Sequence, residues 1–161
     1  MTATAPSQHT RSGHAASDPA PSDRAGGNPT KWVLIVAEAL PPGLAANTAA
    51  VLALTLGRTA PHLFGPDVTD ADGRAYPGLT TQPLPVLTAD EQALTDLCTR
   101  ATDQQILAAV VTDAAQQSKT YPDYTARLAA TPTAQLAALG IAVHGPARAV
   151  NKITGHLRLL R

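Results

Sequence analysis

Six polar side chains stand where an α/β chain could use them for chemistry. Lys31 and Glu38 flank an apolar run, Asn47 and Thr48 interrupt an Ala- and Leu-rich segment, and Asp113 and His144 each close a later apolar run. A carboxylate or an imidazole at a strand end can serve as a general base, and an amide beside it can orient a carbonyl or amide group. Asp113, Asn47 and His144 are therefore the candidate catalytic residues, with Asp113 or His144 as base. Lys31, Glu38, Thr48 and Lys152 are the candidate ligand-binding residues. The expectation is that strand ends and the first helix bring several of these to one rim. The alternative is that each caps a turn or satisfies backbone, although an amide buried in an apolar helix would need a partner.

Other patterns carry weaker chemistry. Asp67, Asp70 and Asp72 alternate ahead of Gly73, as in a calcium loop, but no acid closes the run, so an Asp-stabilised turn is expected. Cys98 is the single cysteine, which excludes an intramolecular disulfide and a thiolate cage; with the histidines scattered, no metal and no cofactor are expected. Cys98 itself falls on an apolar stripe and reads as packed rather than nucleophilic. Tyr121 and Tyr124 read as packing or rim residues. Arg148, Lys152, Arg158 and Arg161 follow Pro146 with no acid among them, forming either a phosphate-attracting patch or a solvated helix face. His144 precedes Gly145-Pro146, where its ring could contact an anion at the start of the last helix.

The elements that must position these groups follow from periodicity. Residues 1–30 contain no Val, Leu, Ile, Phe, Trp or Tyr and cannot offset the entropy of ordering, so a disordered tail is expected there. Residues 31–161 read as one domain, because 161 residues at 44% hydrophobic content suffice for one core. Lys31–Ala37 has the unbroken β-branched run of a strand covered on both faces. Pro41-Pro42-Gly43 then opens a helix over Leu44–Leu56 that is apolar nearly all round and so expected to be buried. Residues 58–82 form a long irregular connection rich in Gly and Pro.

Leu84–Leu87 is a short strand in which Pro85 demands an edge or terminal place. Thr88 and Glu91 have capping-box spacing ahead of the stripe Leu94, Leu97, Cys98, Ala101. A strand over Gln105–Val111, a helix over Tyr121–Leu128 capped by Thr120, a strand over Leu136–His144 and a helix ended by a left-handed Gly155 complete the order. Alternation of this kind layers helices on a largely parallel or mixed sheet.

Composition narrows the function classes. A formal charge of +0 provides no general field for nucleic acid or anionic lipid, and 3% aromatic content is poor in stacking platforms, so nucleic-acid binding is disfavoured. No window approaches the roughly 18 apolar residues of a membrane helix, nor is there a secretory leader, so a cytoplasmic protein is expected. A short edge strand at Leu157–Leu160 invites pairing into a homodimer.

Two stretches also carry a family resemblance. Lys31-Trp-Val-Leu-Ile-Val, followed by Gly43 and an Ala-Ala-polar helix, and the closing Gly145-Pro146, Val150, Thr154-Gly155 and Leu157–Leu160 resemble type II peptidyl-tRNA hydrolases. Residues 31–161 resemble more closely a bacterial family, number two thousand among domains of unknown function, through Leu40–Asn47, Asp70–Gly73 and Gly145–Leu160. This resemblance implies a three-layer α/β/α fold with a mixed, mostly parallel four-stranded sheet, hydrolase-like, and no known substrate.

Where the hydrolases carry Gly-Lys, this chain has Gly43-Leu44; Asn47 replaces their Gln, and their His falls near Ala50 or Val51. Asp113-Ala-Ala-Gln-Gln117 resembles their aspartate stretch without its Gly and Thr. The expected function is a ligand-binding or assembly module, with a small molecule as a possible partner. The alternatives are hydrolysis of a small ester or amide, or a divergent peptidyl-tRNA hydrolase.

Overall fold

The architecture is that of a computed structural model, which describes residues 29–161. The tail expected over residues 1–30 lies outside the described residues except for Pro29 and Thr30, and Thr30 already belongs to the first strand.

Strand β1, Thr30–Ala37, buries Trp32 to Val36 without interruption, as its β-branched run requires of a central strand. Helix α1, Pro42–Thr59, starts at the expected prolines. The connection after it contains a single 3-10 turn at Pro61–Leu63 and a small hairpin of β2, Val68–Thr69, and β3, Ala75–Tyr76. Then follow β4, Val86–Ala89; α2, Glu91–Asp103; β5, Leu107–Thr112; α3, Asp113–Gln116; α4, Tyr121–Ala130; β6, Ala138–Pro146; α5, Ala147–Thr154; and β7, Arg158–Leu159.

The main sheet runs β5-β6-β1-β4-β7. It has five strands where four were expected. Only β1 and β4 pair in parallel; β6 is antiparallel to both β1 and β5, and β7 is antiparallel to β4, so the expectation of a mostly parallel sheet is corrected. The reason is topological. Strand β6 returns between β5 and β1 in the opposite sense, an arrangement that the alternation of strands and helices cannot reveal because it depends on which strands become neighbours.

Helices cover both sides. On one, α2 and α5 pack Leu94, Leu97, Val150 and Ile153 against Val33, Ile35, Ile141 and Val143. On the other, α1 and the following turn pack Leu52, Leu56, Ala60 and Leu63 against Trp32, Leu34 and Ala142.

Local chemistry departs from expectation at four points. Asp90, not Thr88, caps α2: its carboxylate accepts the Ala93 N–H at 2.8 Å, while Thr88 stays in β4 opposite Val36 and Arg158. Pro85 precedes β4, which is flanked on both sides, so the terminal reading of that proline holds and the edge reading does not. Gly155 is right-handed, at φ −65°, rather than left-handed. Helix α1 is not buried all round. It buries Ala45, Thr48, Leu52 and Leu56 on one face and leaves Val51 41% and Leu54 76% exposed.

Two local expectations hold. Thr120 caps α4, accepting the Asp123 N–H at 3.3 Å, and Asp70 closes its turn by accepting from Asp72 N, Arg74 N and Tyr76 Oη. Those donors, the Arg74 amide foremost, hold the Asp70 carboxyl below its ordinary value. Gly73 supplies the positive φ, 85°, that this turn needs.

Candidate functional site

The candidate residues do not gather at one rim. Asp113 follows Thr112, which pairs with Ala138, while His144 lies six residues further along β6. At about 3.3 Å per residue, roughly 20 Å separates them. Asp113 and Glu38 lie beyond the carboxyl ends of β5 and β1; Lys31 and His144 lie at the opposite end of the sheet. The expectation of a shared pocket for Asp113 and His144 is thereby corrected. Antiparallel β6 carries its carboxyl end away from the carboxyl ends of β1 and β5.

Each residue has a local setting. The Asp113 N–H donates to Ala137 O at 2.9 Å, its Oδ1 accepts from Ala137 N at 3.1 Å, and its Oδ2 accepts from Gln117 Nε2 at 3.3 Å. The carboxylate thus ties the start of α3 to the segment entering β6. Asn47 is exposed on α1, so the burial that would have demanded a partner for its amide is absent. Thr48 is buried, with its methyl against Gly140; a Cβ there would stand 2.7 Å from Thr48 Cγ2 and 2.9 Å from Ile35 O. Glu38 is exposed and borders a cavity with Thr88, Arg158 and Arg161. Lys31 Nζ donates to Asn151 Oδ1 at 2.8 Å. Lys152 borders a different cavity with Arg148 and Gln104. The basic patch expected in the last stretch is therefore divided between two places.

His144 has the least ordinary environment of the set. Its ring centroid lies 6.0 Å from that of His62 and 6.5 Å from that of Trp32. Among the described residues its Nε2 and Trp32 Nε1 are buried without hydrogen-bond partners. Burial first, and the nearby His62 second, push the His144 pKa below its ordinary value, so the neutral ring is favoured. Among the described residues no three His, Cys, Asp or Glu side chains converge as a metal site. Cys98 is half-buried on α2, and burial pushes its thiol pKa up, which disfavours the reactive thiolate.

A further cavity lies away from these candidate residues. Between the outer flank of α1 and strand β5 is a cleft of about 560 Å³. Val51, Thr55 and Arg58 of α1 form one wall and Ala109–Val111 of β5 the floor; Ser118–Tyr121 and Tyr124 close the far side. β5 is an edge strand, and its register with β6 is interrupted twice, between Leu107 and Ala109 and between Val111 and Thr112. Such irregularities discourage an edge from pairing with another strand.

Reading the sequence for catalytic residue types missed Val51, Thr55, Arg58 and Lys119. The available signal was the apolar excess of α1: a helix apolar nearly all round must find cover on every side or leave some apolar surface open.

A family model described as a protein of unknown function, DUF2000, matches residues 30–161. The chain belongs to that family. The chain is also similar to a solved structure, the protein of unknown function Atu0240 from Agrobacterium tumefaciens strain C58. The TM-score is 0.75 at 20% identity, over 82% of this chain and 98% of the other. At that identity the likeness shows a shared fold. No curated protein matches the chain. Among the described residues no helix is long and apolar enough to cross a membrane.

Proposed function

We propose that this DUF2000 domain is a ligand-binding module whose ligand lodges in the cleft between α1 and β5. The observation that carries the reading is the unfilled volume of about 560 Å³ beside a half-exposed Val51, a size within the usual range for small-molecule sites. The cleft has an apolar floor and polar groups confined to its walls, the division of labour that lets such a site bind through contact area and select through a few hydrogen bonds.

Hydrolysis through Asp113 is the second reading, and its hydrogen bonds argue against it. Both carboxylate oxygens already accept internal donors, Oδ1 from Ala137 N–H ahead of β6 and Oδ2 from Gln117 Nε2 at the end of α3, so taking up a proton from substrate would weaken contacts that the charged carboxylate makes. The missing hydrolase lysine, with Leu44 in its place, points the same way. A scaffold related to type II peptidyl-tRNA hydrolases and a cytoplasmic setting belong to the same proposal. The closing stretch Gly145–Leu160 supports the first, and the lone Cys98 is compatible with the second.

The test is a screen of small organic molecules against the 15N-labelled full chain by amide chemical shift. Binders are expected to move the signals of residues 109–111 and 118–124 and to leave those around Asn151 still. Binding confined to other surfaces would overturn the reading. As a control on catalysis, Asp113→Ala is expected to lower stability by about 1–2 kcal/mol, because Ala137 N–H loses its acceptor. Turnover of simple esters or amides by wild type, abolished in an Asp113→Asn variant that keeps its melting temperature, would favour the enzyme.

A further inference from the structure

We infer that the ligand of the α1–β5 cleft is a small organic anion, one carrying a carboxylate or phosphate group on a ring-sized apolar body; the inference rests on the cleft being the binding site. Two cations, Arg58 at the end of α1 and Lys119 ahead of α4, border the cavity, and among the described residues no acidic residue does. This imbalance is local, since the whole chain has a formal charge of +0. Neither side chain enters an ion pair among the described residues, nor does the Arg58 guanidinium or the Lys119 ammonium donate a hydrogen bond to another residue there. The nearest acid in sequence, Asp123, turns its Oδ2 to the Lys119 backbone N–H at 3.2 Å.

The hydroxyls around the cavity sharpen the choice. Thr55 Oγ1 donates to Val51 O within α1 at 2.9 Å and Ser118 Oγ donates to Ala114 O of the preceding α3 at 2.7 Å, so both hydroxyl protons are already engaged by backbone. The side-chain donors left for a ligand are Arg58, Lys119, the phenols of Tyr121 and Tyr124, and the hydroxyl of Thr120, whose oxygen accepts the Asp123 N–H. A wall that offers donors, two of them cationic, with no carboxylate to accept in return, complements an anion and disfavours a cation or a donor-rich neutral molecule. Arg58 can grip a carboxylate or phosphate through two parallel N–H bonds.

The body of the ligand is bounded by the floor and by the tyrosines. Ala109, Val110 and Val111 present small apolar surface, and the rings of Tyr121 and Tyr124 sit 5.6 Å apart and tilted, with Tyr121 76% exposed. A ring or a short branched chain fits between these surfaces. An extended polypeptide adding to the sheet does not suit the edge, because its two register shifts break the even ladder that strand addition needs.

The probes are benzoate and phenyl phosphate, with benzamide as the neutral counterpart and benzylamine as the cationic one, each titrated into the full chain with amide shifts as readout. Expected are shifts at residues 109–111 and 118–124 with either anion, weaker binding as salt rises, and about a tenfold loss of anion affinity in Arg58→Gln or Lys119→Gln. Both substituted positions are exposed, so an unchanged melting temperature confirms the fold. A preference for phenyl phosphate over benzoate identifies the phosphate form, and the reverse the carboxylate form. Benzamide or benzylamine binding in the cleft as tightly as the anions would overturn the anion inference and leave the cleft standing. Absence of shifts at those residues with all four probes would overturn both.

Discussion

One face of the sheet lies under two helices, α2 and α5, and the other lies under α1 and a single turn. The side chains tell the same story. On the two-helix face Leu94, Val150 and Ile153 are fully buried, and the helices there are polar on their outer sides. On the α1 face Leu52 and Leu56 are as well buried, yet the same helix holds Val51 and Leu54 out to solvent, and among the described residues Trp32 Nε1 and His144 Nε2 are enclosed without partners. Helix α2 carries no more apolar surface than its packing uses. Helix α1 carries more than its packing uses, and Val51, one part of that surplus, lines the cleft. The less hydrophobic helix closes its side of the core more completely, and the proposed site is the one that unspent apolar surface points to rather than the titratable residues.

The contrast is sharpest in truncation. Leu94→Ala and Ile153→Ala each empty a position at 0% exposure and are expected to cost about 2–5 kcal/mol in chemical denaturation, whereas Leu54→Ala, at 76% exposure, should cost under about 0.5 kcal/mol. A Leu54 cost near that of Leu94 would mean that the outer side of α1 is covered after all. The seat of α1 can be attacked directly. A Cβ at Gly140 would press on Thr48 Cγ2 and on Ile35 O, and the latter is backbone that cannot retreat. Gly140→Ala is therefore expected to lose about 1–3 kcal/mol, only partly recovered by adding Thr48→Ser, with urea midpoints as the measure.

The smallest effect concerns pH. Because His144 has a depressed pKa in the fold, the unfolded chain binds its proton more readily, with an ordinary value of 6.5. The associated stability is fully present above about 6.5 and is lost as the pH falls through 6.5 toward the folded value. Urea midpoints at pH 7.5 and pH 5.5 should differ more for wild type than for His144→Gln. An equal fall in both would move the origin of the acid sensitivity away from the α1 face.

Much of the local structure was legible because neighbours in sequence dictate it. The run Trp32–Val36 announces a central strand, the stripe Leu94, Leu97, Ala101 a half-buried helix, Thr120 a cap, and Asp70 with Gly73 a turn. Even locally, a competing neighbour could win: Asp90 displaced Thr88 as cap once Thr88 was held in a ladder with Val36 and Arg158. The candidate site was far less legible. Asp113 and His144 each close an apolar run and looked equivalent, but strands of opposite sense put them at opposite ends of the sheet.

By itself the amino-acid order determined the longer strands and helices and which apolar residues face inward on α2, because backbone propensity and side-chain period act over a few residues; the β2–β3 hairpin within residues 58–82 and the short α3 were not legible there. Only the tertiary structure decided that β6 runs antiparallel between β5 and β1, that α1 covers the sheet with one face, and that Arg58 and Lys119 border one cavity. Those facts arise from contacts between residues far apart in the chain, whose choice of partner depends on the packing of every layer at once.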